Sequence, residues 1–433
     1  MAPAMVPALS HVWPRHAALG EDCALLLAGC DARELAARFG TPVYVVSEQD
    51  LRDQARAFRA AFAEHAGENH EVHFASKSFP ATAVLRVMAE EGLACDVATG
   101  GELSLALGAG FSPDRIHLHG NAKSEHELRE ALDAGVGDIV VDNLDELDAL
   151  IALVPAGRRQ RILLRVAPGV SPDTHPKIST GGPNTKFGLK PSDARVAIER
   201  ARASDRVELD GLHIHVGSQI LDLEPFHAAV EVLASLGEFR TINLGGGLGV
   251  AYLHEQSAPS VEEYVARKVE IVRELFGTDV RIADEPGRAL VARSTVTLYT
   301  VQTVKQNVAR WVAVDGGMSD NLRPMLYDAR YEAMVVGRPY DPAHPGPFDD
   351  DVEICHLAGK HCESGDVLIH DVPLPAPVRG DLVAVPMTGA YGHSMANTYN
   401  AQPRPPIVFV SDGEAREVVR RESYDDLRAR DVR

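Results

Sequence analysis

The sequence predicts an α/β protein made of a (β/α)8 barrel and a C-terminal, mostly antiparallel β domain. Three observations support this fold class. Eight short apolar, β-branched runs alternate with helical patterns between about residues 70 and 290. After Arg288 the helical patterns nearly stop, and β-type runs follow one another between Pro, Gly and Asp turns. The 433 residues also exceed what one ordinary core supports, which favours two domains.

The barrel is assigned to residues 45–293. Its predicted strands are Glu71–Ser76, Leu93–Ala98, Ile116–His119, Asp138–Asp142, Ile162–Ala167, Gly211–Val216, Thr241–Gly245 and Val280–Glu285. Helical patterns lie between them, for example Pro80–Glu91, Ser124–Ala134 and Ser260–Leu275. The last begins with Ser260 and Glu263 at capping-box spacing. Eight such repeats are typical of a closed barrel, and a doubly wound open sheet is the structural alternative.

The β domain is assigned to residues 294–433. Its predicted strands are Thr295–Val304, Trp311–Val314, Tyr331–Gly337, Val352–Leu357, Asp366–His370, Asp381–Pro386 and Ile407–Val410, and a helix is predicted at Tyr424–Arg430. Short β-type runs separated by turn residues are typical of antiparallel sheets. The N-terminal segment, residues 1–44, is predicted to complete this β domain.

Composition restricts the classes of function. A net charge of −19 opposes binding to nucleic acid or to an anionic membrane. The five cysteines form no C-x-x-C pair, so neither a disulfide framework nor a zinc site is predicted, and a reducing compartment fits best. No signal peptide pattern and no apolar run of membrane-spanning length is found. The sequence therefore predicts a cytoplasmic enzyme.

Functional residues are expected at the carboxyl ends of the barrel strands. The first predicted strand ends at Lys77. A lone lysine is usually an ordinary surface residue. A lysine that closes an apolar strand is expected to be desolvated, which lowers the pKa of its amine and favours a nucleophile able to form a Schiff base.

The sixth predicted strand places His213 and His215 on one face. Such a pair can hold a metal, but no carboxylate or cysteine ligand follows at a suitable spacing, so a metal site is the weaker interpretation. An imidazole packed on a planar ring, with Ser218 donating to an anion, fits the sequence better.

The last two strands end in loops suited to charged groups. The seventh runs into GGGLG at 245–249, where glycines let backbone amides approach a phosphate. The eighth ends in EPGR at 285–288, where Glu285 and Arg288 can pair with each other or can bind a ring nitrogen and an anion. A lysine nucleophile, a phosphate loop and a carboxylate partner for a ring nitrogen are what a pyridoxal phosphate enzyme requires.

One cysteine has a chemically informative neighbour. Cys362 precedes Glu363 in KHCESGD at 360–366, a turn-forming segment between β-type runs. A cysteine is more often a buried, inert hydrophobic residue. A thiol beside a carboxylate can instead deliver a proton while its neighbour holds a cation.

Taken together, the motifs resemble those of the fold type III pyridoxal phosphate-dependent decarboxylases, over nearly the full length of the chain. Members of this family combine an alanine-racemase-like barrel with a C-terminal β domain, so the resemblance implies the same fold here. In the family's order the motifs are HFASK at 73–77, CDVATGGEL at 95–103, LHGN at 118–121, TKFGL at 185–189, GLHIHVGSQ at 211–219, NLGGGLG at 243–249, EPGR at 285–288, DGGMSDNLRPMLY at 315–327, KHCESGD at 360–366 and TGAY at 388–391. The loop Pro168–Thr185 also keeps the family's His175 and Thr180-Gly181 elements.

This resemblance implies a role for each matching residue. The implied catalytic residues are Lys77, which binds pyridoxal 5'-phosphate as a Schiff base, and Cys362, the proton donor, with Lys77 as the second choice for that donor. The implied cofactor contacts are Lys77, His215, Ser218, Gly246, Gly247, Glu285, Gly287, Arg288 and Tyr391. The implied substrate contacts are Arg288, Arg323, Tyr327, Glu363 and Tyr391. No metal is implied. In this family the cysteine and its neighbouring glutamate come from the other subunit, so a homodimer with shared active sites is implied.

The implied reaction is decarboxylation of meso-2,6-diaminopimelate to L-lysine and CO2, the last step of lysine biosynthesis by the diaminopimelate route. The far end of this substrate is an amino acid, and Arg323 and Glu363 offer one partner for each of its charges. Three alternatives stay open: a decarboxylase of another diamino acid (D-ornithine, D-lysine or carboxynorspermidine type), a racemase on the same barrel, and a catalytically inactive homologue. Glu285 opposes the racemase, and Lys77 with Cys362 opposes the inactive homologue.

Overall fold

The computed structural model describes residues 9–170, 182, 185–340 and 348–432. These residues form two compact units. The β unit takes the described residues of Met1–Leu51, Ala251–Ser257 and Val291–Arg433, and the barrel unit takes those of Arg52–Val250 and Ala258–Leu290. The domain boundaries after residues 44 and 293 stay predictions, and His175 and Thr180-Gly181 lie outside the described residues. None of the described helices is both long and apolar enough to cross a membrane.

The N-terminal part of the chain supplies short elements to the β unit. They are β1 (Ala17–Leu19), β2 (Leu25–Leu27), β3 (Cys30–Asp31), α1 (Ala32–Phe39) and β4 (Val43–Ser47). Strands β1 to β3 form a small antiparallel sheet of their own. Helix α1 begins after Asp31, whose carboxylate accepts a hydrogen bond from the Arg33 N–H at 2.7 Å. Helix α2 (Glu48–Ala66) follows β4.

The barrel unit is a closed barrel of eight parallel strands. The strands are β5 (His70–Ala75), β6 (Ala94–Val97), β7 (Ile116–Leu118), β8 (Asp138–Val141), β9 (Gln160–Arg165), β10 (Val207–His213), β11 (Thr241–Asn243) and β12 (Arg281–Asp284). The helices are α3 (Thr82–Glu90), α4 (Gly100–Ala109), α5 (Glu125–Ala134), α6 (Leu144–Leu153), α7 (Pro191–Ala203), α8 (Pro225–Ala234), α9 (Val261–Phe276) and α10 (Arg288–Val291). Strand β12 pairs with β5 and closes the barrel. The predicted barrel is confirmed, and the open-sheet alternative is wrong.

Local sequence explains where these elements begin and end. The predicted capping box is present at α9, where the Ser260 hydroxyl accepts from the Glu263 N–H and the Glu263 carboxylate accepts from the Ser260 N–H.

The sixth barrel strand, β10, starts and ends earlier than predicted. Its register shifts between Leu209 and Gly211, and a Cβ on Gly211 would lie 1.8 Å from the Thr241 carbonyl oxygen. Only glycine therefore allows β10 to approach β11 at this point.

The β unit contains the predicted C-terminal sheet. Its strands are β13 (Thr295–Gln306), β14 (Arg310–Val314), β15 (Met334–Val335), β16 (Val352–Ala358), β17 (Val367–Pro375), β18 (Leu382–Val385), β19 (Ile407–Ser411) and β20 (Glu414–Val419), and its helices are α11 (Arg323–Tyr327) and α12 (Tyr424–Arg428). The main strand order is β17-β16-β14-β13-β4-β19-β20. Strand β4 is buried throughout and pairs with β13 and β19. The N-terminal part of the chain thus completes the sheet, as predicted.

Candidate active site

The predicted residues of the barrel unit follow the carboxyl ends of its strands. Lys77 lies in a short turn directly after β5, and His215 and Ser218 lie in the segment after β10. The glycine loop at 245–249 follows β11, and the EPGR segment at 285–288 follows β12. In a parallel barrel all these ends meet at one rim. The fold therefore brings the predicted barrel residues to one side of the unit.

Lys77 is partly open to solvent. Its side chain is 45% exposed, and its Nζ lies 3.8 Å from Oδ2 of the buried Asp96. The desolvation predicted from its position at a strand end is therefore incomplete. The amine is accessible at the rim and has a nearby carboxylate.

Glu285 is buried and holds its carboxylate in a dense set of hydrogen bonds. It accepts from His119 Nε2 at 2.8 Å, from Asn243 Nδ2 at 2.7 Å and from His213 Nε2 at 3.1 Å. Burial by itself raises the pKa of Glu285, but these partners outweigh it and hold that pKa well below its usual range. Burial lowers the pKa of His213 to about 3, so His213 donates as a neutral imidazole. The result is an ionised carboxylate that can pair with a cation.

A buried imidazolium supports that charge from inside the barrel. His117 Nδ1 lies 4.0 Å from Glu285 Oε1, and its Nε2 lies 3.1 Å from Asp138 Oδ2. Its ring lies against His73, with the ring centroids 3.7 Å apart. Burial opposes the charged form, but the nearby carboxylates of Asp138 and Glu285 raise the pKa of His117 to about 9. His117, His119 and Asn243 were not among the predicted site residues.

The charge on His117 predicts a specific dependence of stability on pH. Its folded pKa of about 9 lies above the unfolded value of about 6.5. The stabilisation is therefore complete below about pH 6.5 and disappears as the pH rises through about 9. We expect His117→Asn to lower the free energy of unfolding by on the order of 3 kcal/mol at pH 6, with a much smaller deficit at pH 9.5. Melting temperatures across this range measure it.

His126 provides the control, because its side chain is 81% exposed on α5. His126→Asn should follow the wild type at every pH. A deficit of His117→Asn that stays constant from pH 6 to 9.5 would show that His117 is neutral in the folded protein.

Arg288 and the glycine loop form a cradle for an anion. The buried Arg288 donates from Nη2 to the Ser218 hydroxyl at 3.0 Å. A Cβ on Gly246 would lie 2.1 Å from the Glu285 carbonyl oxygen, and Gly247 has φ +128° and lies against the Gly217 carbonyl. Among the described residues, the backbone N–H groups of Gly246 and Gly247 have no acceptor. Unpaired amides beside a guanidinium fit a phosphate group.

Two further residues define the shape of this rim. Gly287 packs against the turn that carries Lys77, since a Cβ there would lie 3.0 Å from Ala75 Cβ. His215 lies beside Gly245, where a Cβ would come within 2.8 Å of its Nδ1. Burial lowers the pKa of His215 well below its usual range, and the Lys77 charge lowers it further. His215 therefore presents a neutral ring, which suits packing on a planar group.

Arg323 is a buried cation within the β unit. Its guanidinium carbon lies 4.5 Å from the centre of the Tyr252 ring and 5.5 Å from that of Tyr331, and its Nη1 donates to the Tyr331 hydroxyl. In the described part of the chain its Nε has no acceptor. A buried guanidinium with an unused donor fits an anionic ligand such as a carboxylate. Tyr327, at the end of the same helix α11, is half-buried.

Cys362 and Glu363 lie on a loop folded around a buried carboxylate. Asp366 accepts from His361 Nδ1 and from the Met318 N–H, both at 2.7 Å. The Cys362 N–H donates to the Asn400 side chain at 2.9 Å, while Cys362 and Glu363 themselves are exposed. The interpretation of Cys362 as a buried, inert residue is therefore wrong. The loop presents a thiol and a carboxylate side by side.

The predicted site residues thus fall into two groups. Lys77, His215, Ser218, Gly246, Gly247, Glu285, Gly287 and Arg288 meet at the barrel rim, and Arg323, Tyr327, Cys362, Glu363 and Tyr391 belong to the β unit. Tyr391 has φ +62°, which is an uncommon backbone conformation for a bulky residue. Residues held in such conformations are often found at functional sites. The barrel group fits pyridoxal phosphate on its own geometry, because it offers an amine, an ionised carboxylate and an anion cradle.

Comparison with known proteins agrees with these features. Residues 48–292 match the family model described as pyridoxal-dependent decarboxylase, pyridoxal binding domain. The diaminopimelate decarboxylase of Actinosynnema pretiosum subsp. auranticum is 46% identical over 440 residues, covering 98% of this chain and 97% of the relative. That of Bacillus subtilis (strain 168) is 45% identical over 421 residues, covering 93% of this chain and 94% of the relative.

Solved structures of two decarboxylases have a similar fold. The diaminopimelate decarboxylase of M. jannaschii, in complex with L-lysine, superposes with a TM-score of 0.88 at 32% identity, covering 97% of this chain and 98% of that chain. The lysine/ornithine decarboxylase of Vibrio vulnificus, complexed with putrescine, superposes with a TM-score of 0.75 at 25% identity, covering 88% of this chain and 97% of that chain.

Proposed function

Because the chain belongs to the pyridoxal-dependent decarboxylase family, we propose that it removes the carboxylate from the D-configured centre of meso-2,6-diaminopimelate and yields L-lysine and CO2. The observation that supports this substrate most directly is the set of diaminopimelate decarboxylases that align with nearly the whole chain. The enzyme is then a carboxy-lyase that catalyses the last step of lysine biosynthesis by the diaminopimelate route. Its five free cysteines are consistent with a cytoplasmic location.

In this proposal the barrel rim binds pyridoxal 5'-phosphate. When bound, this cofactor supplies an aldehyde that reacts with amines and a protonated ring that accepts the electron pair left behind by CO2. Lys77 holds the aldehyde carbon. Glu285 faces the ring nitrogen and, because it is ionised, keeps a proton there. The other cofactor contacts are His215, Ser218, Gly246, Gly247, Gly287, Arg288 and Tyr391.

Most of the proposed contacts to the substrate come from the β unit, and Arg288 of the barrel unit is the exception. Arg323, with its unused Nε donor, binds the distal carboxylate together with Tyr327 and Arg288. Glu363 binds the distal ammonium. A diamino acid without the second carboxylate would leave the buried guanidinium of Arg323 unpaired, and a site of this kind discriminates strongly against such an analogue.

The proton that replaces CO2 comes from the Cys362 thiol in this proposal. Cys362 and Glu363 are proposed to serve the barrel of a partner subunit, so that the enzyme is a homodimer with shared active sites. Their joint exposure on one loop supports a role in completing the site of another subunit. A thiol is a suitable proton donor because cysteine is among the side chains that act as general acids.

An assay on purified enzyme with pyridoxal phosphate tests the substrate. We expect L-lysine from meso-2,6-diaminopimelate, with kcat/KM on the order of 10⁴-fold higher than for D-lysine or D-ornithine. Glu363→Gln should raise KM about 10- to 100-fold, because it removes a charge-assisted hydrogen bond. Glu417→Gln, an exposed position on β20, is the matched control. Turnover of another diamino acid without lysine release from meso-2,6-diaminopimelate would refute the assignment.

Subunit mixing tests the shared site. Lys77→Ala and Cys362→Ala homodimers should each be nearly inactive. Mixed dimers contain one site that is free of both substitutions, so refolding the two variants together should restore up to about one quarter of wild-type activity. If no activity returns although mass spectrometry finds mixed dimers, Cys362 serves the barrel of its own chain.

A further inference from the structure

Lys268, a lysine of the barrel unit, is buried beneath the glycine loop and has no role in the proposal above. Lys268 lies on α9, and its side chain is 1% exposed. Its ammonium pairs with the Asp284 carboxylate and lies 2.5 Å from the Tyr264 hydroxyl. It also lies 4.4 Å from the centre of the Phe226 ring on α8. The group is thus enclosed between the outer helices and the barrel wall.

Lys268 fixes the peptide group that opens the glycine loop. Its Nζ donates to the Gly245 carbonyl oxygen at 3.0 Å and approaches that of Leu244 at 3.4 Å. The Gly245 carbonyl also accepts from the Glu285 N–H at 3.2 Å. On the other side of the residue, the Gly245 N–H donates to Asn243 Oδ1 at 2.9 Å. Gly245 is therefore held at both of its backbone polar groups.

This restraint sets the direction of the next amide. In a trans peptide the carbonyl of one residue and the N–H of the next point in opposite directions. A Gly245 carbonyl held on Lys268 therefore turns the Gly246 N–H away from the outer helices. That N–H is one of the amides for which the described residues offer no acceptor.

We propose that Lys268 is a positioning residue for the phosphate of pyridoxal phosphate, acting through the Gly245 carbonyl on the amides of Gly246 and Gly247. This inference rests on the cofactor named in the proposed function. It concerns a residue that does not itself contact the phosphate.

A purely structural role explains this lysine less well. An apolar side chain of similar length could fill the space, and replacing a buried ion pair by apolar residues is often neutral for stability or favourable. Lys123 provides a comparison within the same barrel. It is equally buried, pairs with Glu146 and donates to the carbonyls of Gly120 and Val140 at 2.8 and 2.7 Å. The difference is that Lys123 does not contact the glycine loop.

The test compares two ligands that differ only in the phosphate. Dissociation constants of the apoenzyme for pyridoxal phosphate and for pyridoxal are measured for wild type, Lys268→Met and Lys123→Met. We expect Lys268→Met to weaken pyridoxal phosphate binding about tenfold or more and pyridoxal binding by less than about threefold. Lys123→Met should leave the ratio of the two constants as in the wild type, even where it lowers the melting temperature.

The remaining outcomes are also decisive. Equal weakening of both ligands by Lys268→Met, or the same change of ratio in Lys123→Met, would overturn the proposal and leave Lys268 a stability residue. If Lys268→Met does not fold, the double variant K268M/D284N contains no unpaired buried charge and carries the same comparison. Failure of the wild type to bind pyridoxal phosphate more tightly than pyridoxal would refute the assigned cofactor instead. The two failures are therefore distinguishable.

Discussion

Replacing Lys77 with alanine is expected to lower kcat by on the order of 10³-fold or more, since covalent catalysis is lost. The same variant should lack the visible absorbance of a cofactor joined to the protein by a carbon–nitrogen double bond. The amine is the barrel group that can form this bond at the rim in our proposal. Steady-state lysine release and absorbance spectra measure the two effects.

The Lys77→Ala variant should still bind the cofactor non-covalently. The phosphate cradle, Glu285 and His215 do not depend on the amine, so equilibrium dialysis should detect bound pyridoxal phosphate. Lys305→Ala, at an exposed position on β13, is the control and should behave as the wild type. Retention of both activity and absorbance in Lys77→Ala would assign the covalent role to another amine.

Replacing Glu285 with glutamine is expected to lower kcat about 10²- to 10³-fold with little change in KM. The size follows from the loss of one preorganised electrostatic partner in a buried site, and the effect falls on kcat because electron withdrawal by the ring matters most in the transition state. The fold should tolerate the change. Glutamine keeps an acceptor for His119 and Asn243, and the neutral His213 can change tautomer to accept from the new amide group.

Charge is the property under test, so Glu285→Asp is the informative companion variant. Aspartate keeps the negative charge on a shorter side chain and should recover at least about tenfold in kcat over Glu285→Gln. Melting temperatures of both variants exclude a loss of folded protein. A kcat of Glu285→Gln within about threefold of the wild type would mean that the carboxylate does not control the ring nitrogen.

Much of the barrel could be predicted because its strands are buried on both faces. Such strands are continuous apolar runs, and the number of runs favoured a closed barrel over an open sheet and indicated which strand ends form the rim. The polar edge strand Glu414–Val419 was not predicted. Most of its residues are exposed or half-buried, so it lacks the apolar alternation that marks a half-buried strand.

The site residues missing from the prediction are those that support other residues. His117 and His119 alternate within the apolar run IHLHG at 116–120, which places both on one face of the predicted strand Ile116–His119. Lys268 lies four residues after Tyr264 in an otherwise apolar helical stripe. Both patterns are visible in the sequence. The carboxylates that these residues contact, however, lie on other strands of the barrel. Only the closed barrel shows that His117 meets Asp138, that His119 meets Glu285 and that Lys268 meets Asp284.

The side-chain amide of Asn243 connects the two ends of the proposed cofactor site. Its oxygen accepts from the Gly245 N–H of the phosphate loop, and its nitrogen donates to the Glu285 carboxylate. In our proposal, an anion on the loop and a proton on the ring nitrogen are therefore expected to stabilise each other through Asn243, and such a linkage acts equally in both directions. An enzyme filled with a phosphate-free analogue should accordingly hold its ring proton less tightly than one filled with pyridoxal phosphate.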